Sequence, residues 1–196
     1  MRCVIHIGTE KTGTTALQHA LSNQRDHLSE HGVFYPSAPG HLNCRSLAAA
    51  FTSLGDNDDY LISNGLTDPL MFADWKRQLL TRISAEIAEA KKAHDIYLLS
   101  SEHFSSRLLH VADITSLASF LKSKFTNIQV ICYLRRQDQM ATSRLSQTLR
   151  AGFMQSWFPR IKDHQPLPHM YDYCSLLERW SSGFTKSTIK PRIYGP

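Results

Sequence analysis

Lys11, Thr12, Thr14 and Thr15 crowd around Gly13 within the stretch CVIHIGTEKTGTTALQHA, residues 3 to 20 of a chain of 196. A cation and several hydroxyls at that density suit one anionic ester group. The run Cys3-Val4-Ile5-His6-Ile7 is apolar and mostly β-branched, which predicts a strand ended by Gly8. Ala16, Leu17, Ala20 and Leu21 have helical spacing, which predicts a helix from Thr14 to about Leu28. A tight loop between them presents unpaired backbone N–H groups at the positive end of a helix, where an anion is favoured. The order is G-x-x-K-T-G-T-T, and Lys11 precedes Gly13. In the Walker A loop the lysine follows the last glycine.

The elements that would position this loop follow from the rest of the pattern. Val33-Phe34-Tyr35 predicts a short strand stopped by Pro36. Residues 37 to 74 are rich in turn residues, with a short helical candidate from Cys44 to Leu54 and an acidic turn Asp56-Asn57-Asp58-Asp59. That turn lacks the glycine and distal glutamate of a calcium loop. Trp75, Leu79, Ile83 and Ile87 recur every four residues and predict an amphipathic helix from Asp74 to Lys92. Ile96 to Leu99 predicts a strand, followed at once by Ser100-Ser101-Glu102-His103. A helix through Ile114, Leu117, Leu121 and Phe125 comes next. Ile128 to Leu134 reads as a strand buried on both faces and ends in Arg135-Arg136. A helix from Met140 to Leu149 then closes at Gly152. Residues 153 to 169 read as a long loop over a pocket. A last helix carries Tyr173, Leu176, Leu177, Trp180 and Phe184, and Thr188 to Tyr194 is a weak strand interrupted by Pro191.

Alternating strands and helices predict an α/β fold, a three-layer sandwich with a mainly parallel central sheet flanked by helices, similar to P-loop NTPases. Ligands bind such sheets beyond the carboxyl ends of the strands. The Lys11 loop, Glu102-His103 and Arg135-Arg136 are therefore expected to meet at one edge.

Charged residues make up 20% of the chain and hydrophobic ones 42%, the balance of a soluble globular domain. The length suits a single domain over residues 1–196. The net charge of +5 favours anionic ligands. The basic residues form no run longer than two, so nucleic acid is not the expected partner. Cys3, Cys44, Cys132 and Cys174 lack metal-ligand spacing and read as reduced buried thiols. No metal site is expected. With a strand beginning at residue 3 and no apolar run long enough to span a bilayer, the chain reads as soluble and cytoplasmic. The oligomeric state is not legible.

The Lys-Thr-Gly-Thr-Thr turn after the first strand resembles the 5′-phosphosulfate loop of sulfotransferases that use 3′-phosphoadenosine 5′-phosphosulfate (PAPS). The segment YLRRQDQMATSRLSQ is similar to that family's 3′-phosphate segment, in which an arginine at a strand end precedes a serine by eight residues, as Arg135 precedes Ser143. LLSSEHF and the helix from Tyr171 to Trp180 are also similar to bacterial members. The resemblance implies PAPS as co-substrate, held by Lys11, Thr12, Gly13, Thr14, Thr15, Arg135 and Ser143. It implies transfer of the sulfuryl group to a hydroxyl or amine of a glycan or small molecule, with Lys11 neutralising the leaving phosphate. Glu102 is the leading candidate for the base and His103 the second. Arg136 is balanced between sharing the phosphate and being an ordinary exposed residue. His6 is expected to be a hydrogen-bonded core residue. Two departures stand out. Ala16 occupies the place of the family's adenine-stacking aromatic, and the family continues past the last strand with a basic loop. These keep open a catalytically weak PAPS-binding module lacking its C-terminal part, and, less favoured, a P-loop small-molecule kinase.

Overall fold

The computed structural model describes residues 1–152 and 167–195. The loop expected over residues 153 to 169 therefore lies mostly outside the described residues. Five strands form one sheet in the order β2-β3-β1-β4-β5, and every neighbouring pair is parallel. They are β1 (Arg2–His6), β2 (Val33–Phe34), β3 (Ile96–Ser100), β4 (Ile128–Arg135) and β5 (Ile189–Tyr194). Flanking helices complete the expected α/β architecture: α1 (Thr14–Asn23), α2 (Arg25–Glu30), α3 (Arg45–Phe51), α4 (Asp59–Ser63), α5 (Pro69–Ala90), α6 (His103–Arg107), α7 (Val111–Lys122), α8 (Gln137–Arg150) and α9 (Tyr173–Gly183).

Successive residues of a strand face opposite sides, and the two sides of this sheet differ. Cys3, Ile5, Tyr97, Leu99, Val130 and Cys132 join one large core with Leu47 of α3, Leu79, Ile83 and Ile87 of α5, Leu117 and Leu121 of α7, and Trp180 of α9. On the other side Val4 and His6 are buried, whereas Gln129, Ile131 and Tyr133 are only half-buried. β4 thus alternates buried and half-buried positions along most of its length, where its apolar run predicts burial on both faces. The carboxyl half of that second side is a cavity wall.

Local chemistry explains where the elements begin. Asp68 caps α5, accepting from the N–H groups of Leu70 at 2.9 Å and Met71 at 3.0 Å, with Pro69 in the first turn. The helix therefore starts five residues before Asp74. The helix expected to run to Leu28 breaks at Gln24 into α1 and α2. The acidic turn is structural: Asp58 caps α4 through the N–H groups of Tyr60 and Leu61 and accepts from Arg45 at 2.6 Å. Pro191 sits inside β5, a terminal strand of the sheet, where its missing N–H is tolerated. Cys3, Cys44 and Cys132 are free and buried, as expected, but Cys174 is exposed on α9.

Candidate active site

β1 and β3 finish level, with His6 opposite Ser100, whereas β4 runs on for four residues past the partner of His6, Ile131. The chain leaving β1 follows this extension. Ile7 N–H donates to the Ile131 carbonyl at 3.0 Å and Thr9 N–H to that of Tyr133 at 2.8 Å, while Tyr133 N–H donates to Gly8 at 2.6 Å. Lys11 is thereby delivered to the tip of β4, where the Arg135 guanidinium donates to the Lys11 carbonyl at 2.9 Å. The Thr12 hydroxyl donates to the Thr9 carbonyl at 2.6 Å, tying the loop to itself.

Two glycines are required by this path. Gly8 has φ of 95°, and a Cβ there would stand 3.0 Å from the Glu102 Cα, so only glycine lets the loop approach the end of β3. Gly13, at φ 73° and ψ 14°, is the N-cap of α1, and no side chain caps that helix. Its first-turn amides belong to Thr14, Thr15 and Ala16, which all face one cavity. Lys11, also at positive φ, reaches the Gln147 side chain with its ammonium group. Desolvation holds Lys11 below the ordinary amine range; Glu10 opposes this, while Arg144, Arg135 and Arg150 add to it.

Glu102 follows β3 at the N-cap position of α6, but its side chain makes no capping bond. One carboxylate oxygen accepts from Gln18 Nε2 at 2.7 Å, and Gln18 is itself almost fully buried in α1. The other lies 3.9 Å from His103 Nε2. Desolvation and then the nearby Arg45 charge keep His103 below the usual imidazole range. His6 is the expected core residue: Nδ1 meets Ser100 Oγ at 2.8 Å, and burial pushes its pKa down to about 4.

A cavity of about 550 Å³ gathers Lys11, Gly13, Thr14, Thr15, Glu102, His103, Arg135 and Ser143 around one space. Thr12, buried within the loop, is the predicted site residue that does not line it. A second cavity of about 1050 Å³ shares Lys11, Arg135, Ser143, Gln147 and Tyr194 and extends along α8 past Gln139, Thr142, Ser146 and Arg150. Those α8 positions recur at helical spacing, so one polar face of the helix walls the larger space. Arg136 lines neither cavity; it is exposed and paired at 2.8 Å with Asp138, which borders the larger one. His41 lines neither cavity, whereas His169 lies at a smaller one; His164 falls outside the described residues.

Sequence reasoning passed over three participants. Gln18 holds Glu102, Gln147 engages Lys11, and Tyr194 stands with its hydroxyl over Gly13 and its ring 5.6 Å from the Arg135 guanidinium carbon. None carries a local signal. It also passed over a histidine pair at helical spacing: His27, Glu30 and His31 stand close together on the exposed surface of α2, and Asp56, His110 and Asp113 form a similar group.

Fold and site together define an open parallel α/β protein whose central strand ends in a lysine- and threonine-bearing loop opposite an arginine-tipped neighbour. No family model matches the sequence. An uncharacterized protein of Archaeoglobus fulgidus is 33% identical over 98 residues, half of this chain and 24% of that protein, so this chain matches about a quarter of the relative's length. Among solved structures, the sulfotransferase domain from the curacin biosynthetic pathway aligns with 98% of this chain and 66% of its own, at 13% identity and a TM-score of 0.42. In the described residues no helix is long and apolar enough to cross a membrane.

Proposed function

We propose that this chain transfers a sulfuryl group from PAPS to a hydroxyl or amine of a glycan or other small acceptor. The observation that carries the reading is the shared cavity, in which the loop of Lys11, the Arg135–Ser143 pair and the Glu102–His103 pair face one space. The 5′-phosphate lies against the first-turn amides of α1 with Thr14 and Thr15, and the 3′-phosphate against Arg135 and Ser143. The nucleoside occupies the larger cavity, where Tyr133 and Tyr194 supply the aromatic surface that Ala16 does not.

In this scheme the acceptor oxygen forms its bond to sulfur as the bond from sulfur to the phosphate oxygen breaks. The acceptor proton passes to Glu102, whose Gln18 bond leaves one oxygen available on the cavity side. Negative charge grows on the departing phosphate, and Lys11, exchanging Gln147 for it, neutralises that charge. Catalysis is then mostly positioning and fixed electrostatics.

Calorimetric titration with adenosine 3′,5′-bisphosphate tests the donor site, with ATP and magnesium as the control. Micromolar binding that Lys11→Ala and Arg135→Ala each weaken at least about tenfold is expected, since a charge-assisted bond contributes roughly 1.5–3 kcal/mol. Absence of binding, or equal binding of ATP, would sink the proposal. A module that binds without turnover is favoured by one feature, the Tyr194 hydroxyl seated over Gly13. Bisphosphate affinity combined with no sulfate transfer to any acceptor would select it.

A further inference from the structure

Beside the shared cavity lies a smaller one of about 380 Å³, bounded by Glu10, Ser106, Arg107, Arg144, Thr148 and His169 among others. Glu10 and Gln147 border both spaces, so the two adjoin. α6 links them in a second way. It begins at His103, beside Glu102, and ends at Arg107, so one short helix runs from the candidate base to the wall of the side cavity. Its length is about one and a half turns, roughly 7 Å.

The polar groups here exceed what the described protein satisfies. Arg144 is paired with Glu10 at 2.8 Å, and Arg107 with Asp59 at 3.0 Å and Asp58 at 3.8 Å, although Asp58 is already held by Arg45. Ser106 Oγ and Arg107 Nε are buried without a hydrogen-bond partner among the described residues. A buried donor left in this state costs free energy until something accepts from it. His169 records the resulting field. Desolvation of its ring comes first, then the positive charges of Arg179, Arg144 and Arg107 hold it below the ordinary imidazole range against the opposing Glu10.

We propose that this side cavity binds an anionic group of the acceptor, a carboxylate, phosphate or sulfate ester, and so presents a hydroxyl one to two helical turns away to Glu102. The inference rests on the sulfuryl-transfer reading for the word acceptor. The anion site itself rests on the cavity, its arginines and the unpaired Ser106 hydroxyl. Arg144 and Arg107 offer planar forks suited to an oxyanion and Ser106 a hydroxyl donor, while the Thr148 hydroxyl already donates to the Arg144 carbonyl at 3.0 Å. A neutral acceptor would leave these donors unmatched, whereas an anionic one is both attracted and fixed in register.

The probe is inorganic phosphate, titrated into protein saturated with adenosine 3′,5′-bisphosphate, and the readout is the His169 ring resonance, assigned with His169→Gln. The resonance is expected to move saturably and its titration midpoint to rise, since an anion offsets the surrounding arginines. Arg144→Gln should weaken this response at least about fivefold, while Arg77→Gln, on the exposed side of α5, should leave it unchanged. Ser106→Ala breaks no side-chain hydrogen bond among the described residues and gives a second comparison if Arg144→Gln fails to fold; a loss of about threefold or more is expected from one hydrogen bond. A response that never saturates, or that is equal in the parent and both cavity variants, overturns the proposal. The prior bisphosphate titration reports separately on the donor reading. Should that fail, the same His169 titration without bisphosphate still decides whether the cavity is an anion site.

Discussion

Gln18 shows how much a single side chain can decide in this site. Almost fully buried in α1, it donates to Glu102 and accepts more distantly from Asn43 at 3.5 Å. It touches no reacting atom in the scheme, so it acts by positioning. Gln18→Met is expected to lower kcat by tenfold or more while changing bisphosphate affinity by less than about twofold, because Glu102 loses its orientation and the phosphate loop does not. Parallel loss of affinity and rate would show instead that the loop had collapsed. His6 makes a separate prediction about pH. Burial lowers it from 6.5 to about 4, so the folded protein binds fewer protons than the unfolded chain between those values. Its contribution to stability is therefore complete above about pH 6.5 and falls as pH drops to about 4, by roughly 3 kcal/mol at most. His103 and His169 shift in the same direction. Urea denaturation at pH 7 and pH 4.5 should show this loss in the parent and a smaller one in His6→Gln. The residues at strand ends could be read from sequence because a parallel sheet sends such ends to one edge. Gln18, Gln147 and Tyr194 could not, since each matters only through a contact with a residue far away in the chain.

Elements were legible to the degree that one face of them is buried. The stripe Leu79, Ile83, Ile87 gave α5 its place, and all three are buried in the main core. Its first turn was missed because Leu70 and Met71 are exposed and carry no stripe; the Asp68–Pro69 cap was the available signal. β4 misled for the opposite reason: an apolar composition predicts two buried faces, yet Ile131 and Tyr133 are only half-buried and Tyr133 lines the larger cavity. Two caps should respond very differently to removal. Asp68 is exposed, so Asp68→Ala should cost about 1 kcal/mol, the ordinary value of an N-cap. Asp58 is buried, caps α4 and also holds the largely buried Arg45 at 2.6 Å, so Asp58→Ala leaves Arg45 with only the exposed Asp59 and should cost about 3 kcal/mol. Chemical denaturation of the two variants measures the contrast, and equal losses would mean that the Asp58 network contributes only its capping bonds.

At the scale of the whole molecule, the sheet order places β1 between β3 and β4, so all three candidate strand ends are adjacent with β1 in the middle. The scaffold beneath them is one continuous core, and the site is built on the opposite, less covered side. Stability and binding should therefore be separable. The scaffold is closely packed where α9 meets α7. Trp180 is fully buried, stacked on Phe184 and set edge-on to Phe104, and a Cβ at Gly183 would stand 2.9 Å from the Ile114 carbonyl oxygen and 3.1 Å from the Ala118 Cβ. Gly183→Ala must push these helices apart, and overpacking of this kind costs about 1–3 kcal/mol. The clash lies in the core beneath the sheet, while α1, α8 and the Lys11 loop contribute nothing to that cluster. The midpoint of urea denaturation should fall accordingly, and the folded fraction should bind adenosine 3′,5′-bisphosphate with the affinity of the parent. A loss of affinity matching the loss of stability would instead mean that α9 governs the cavity through β5 and Tyr194, which follow it in the chain and close the larger cavity.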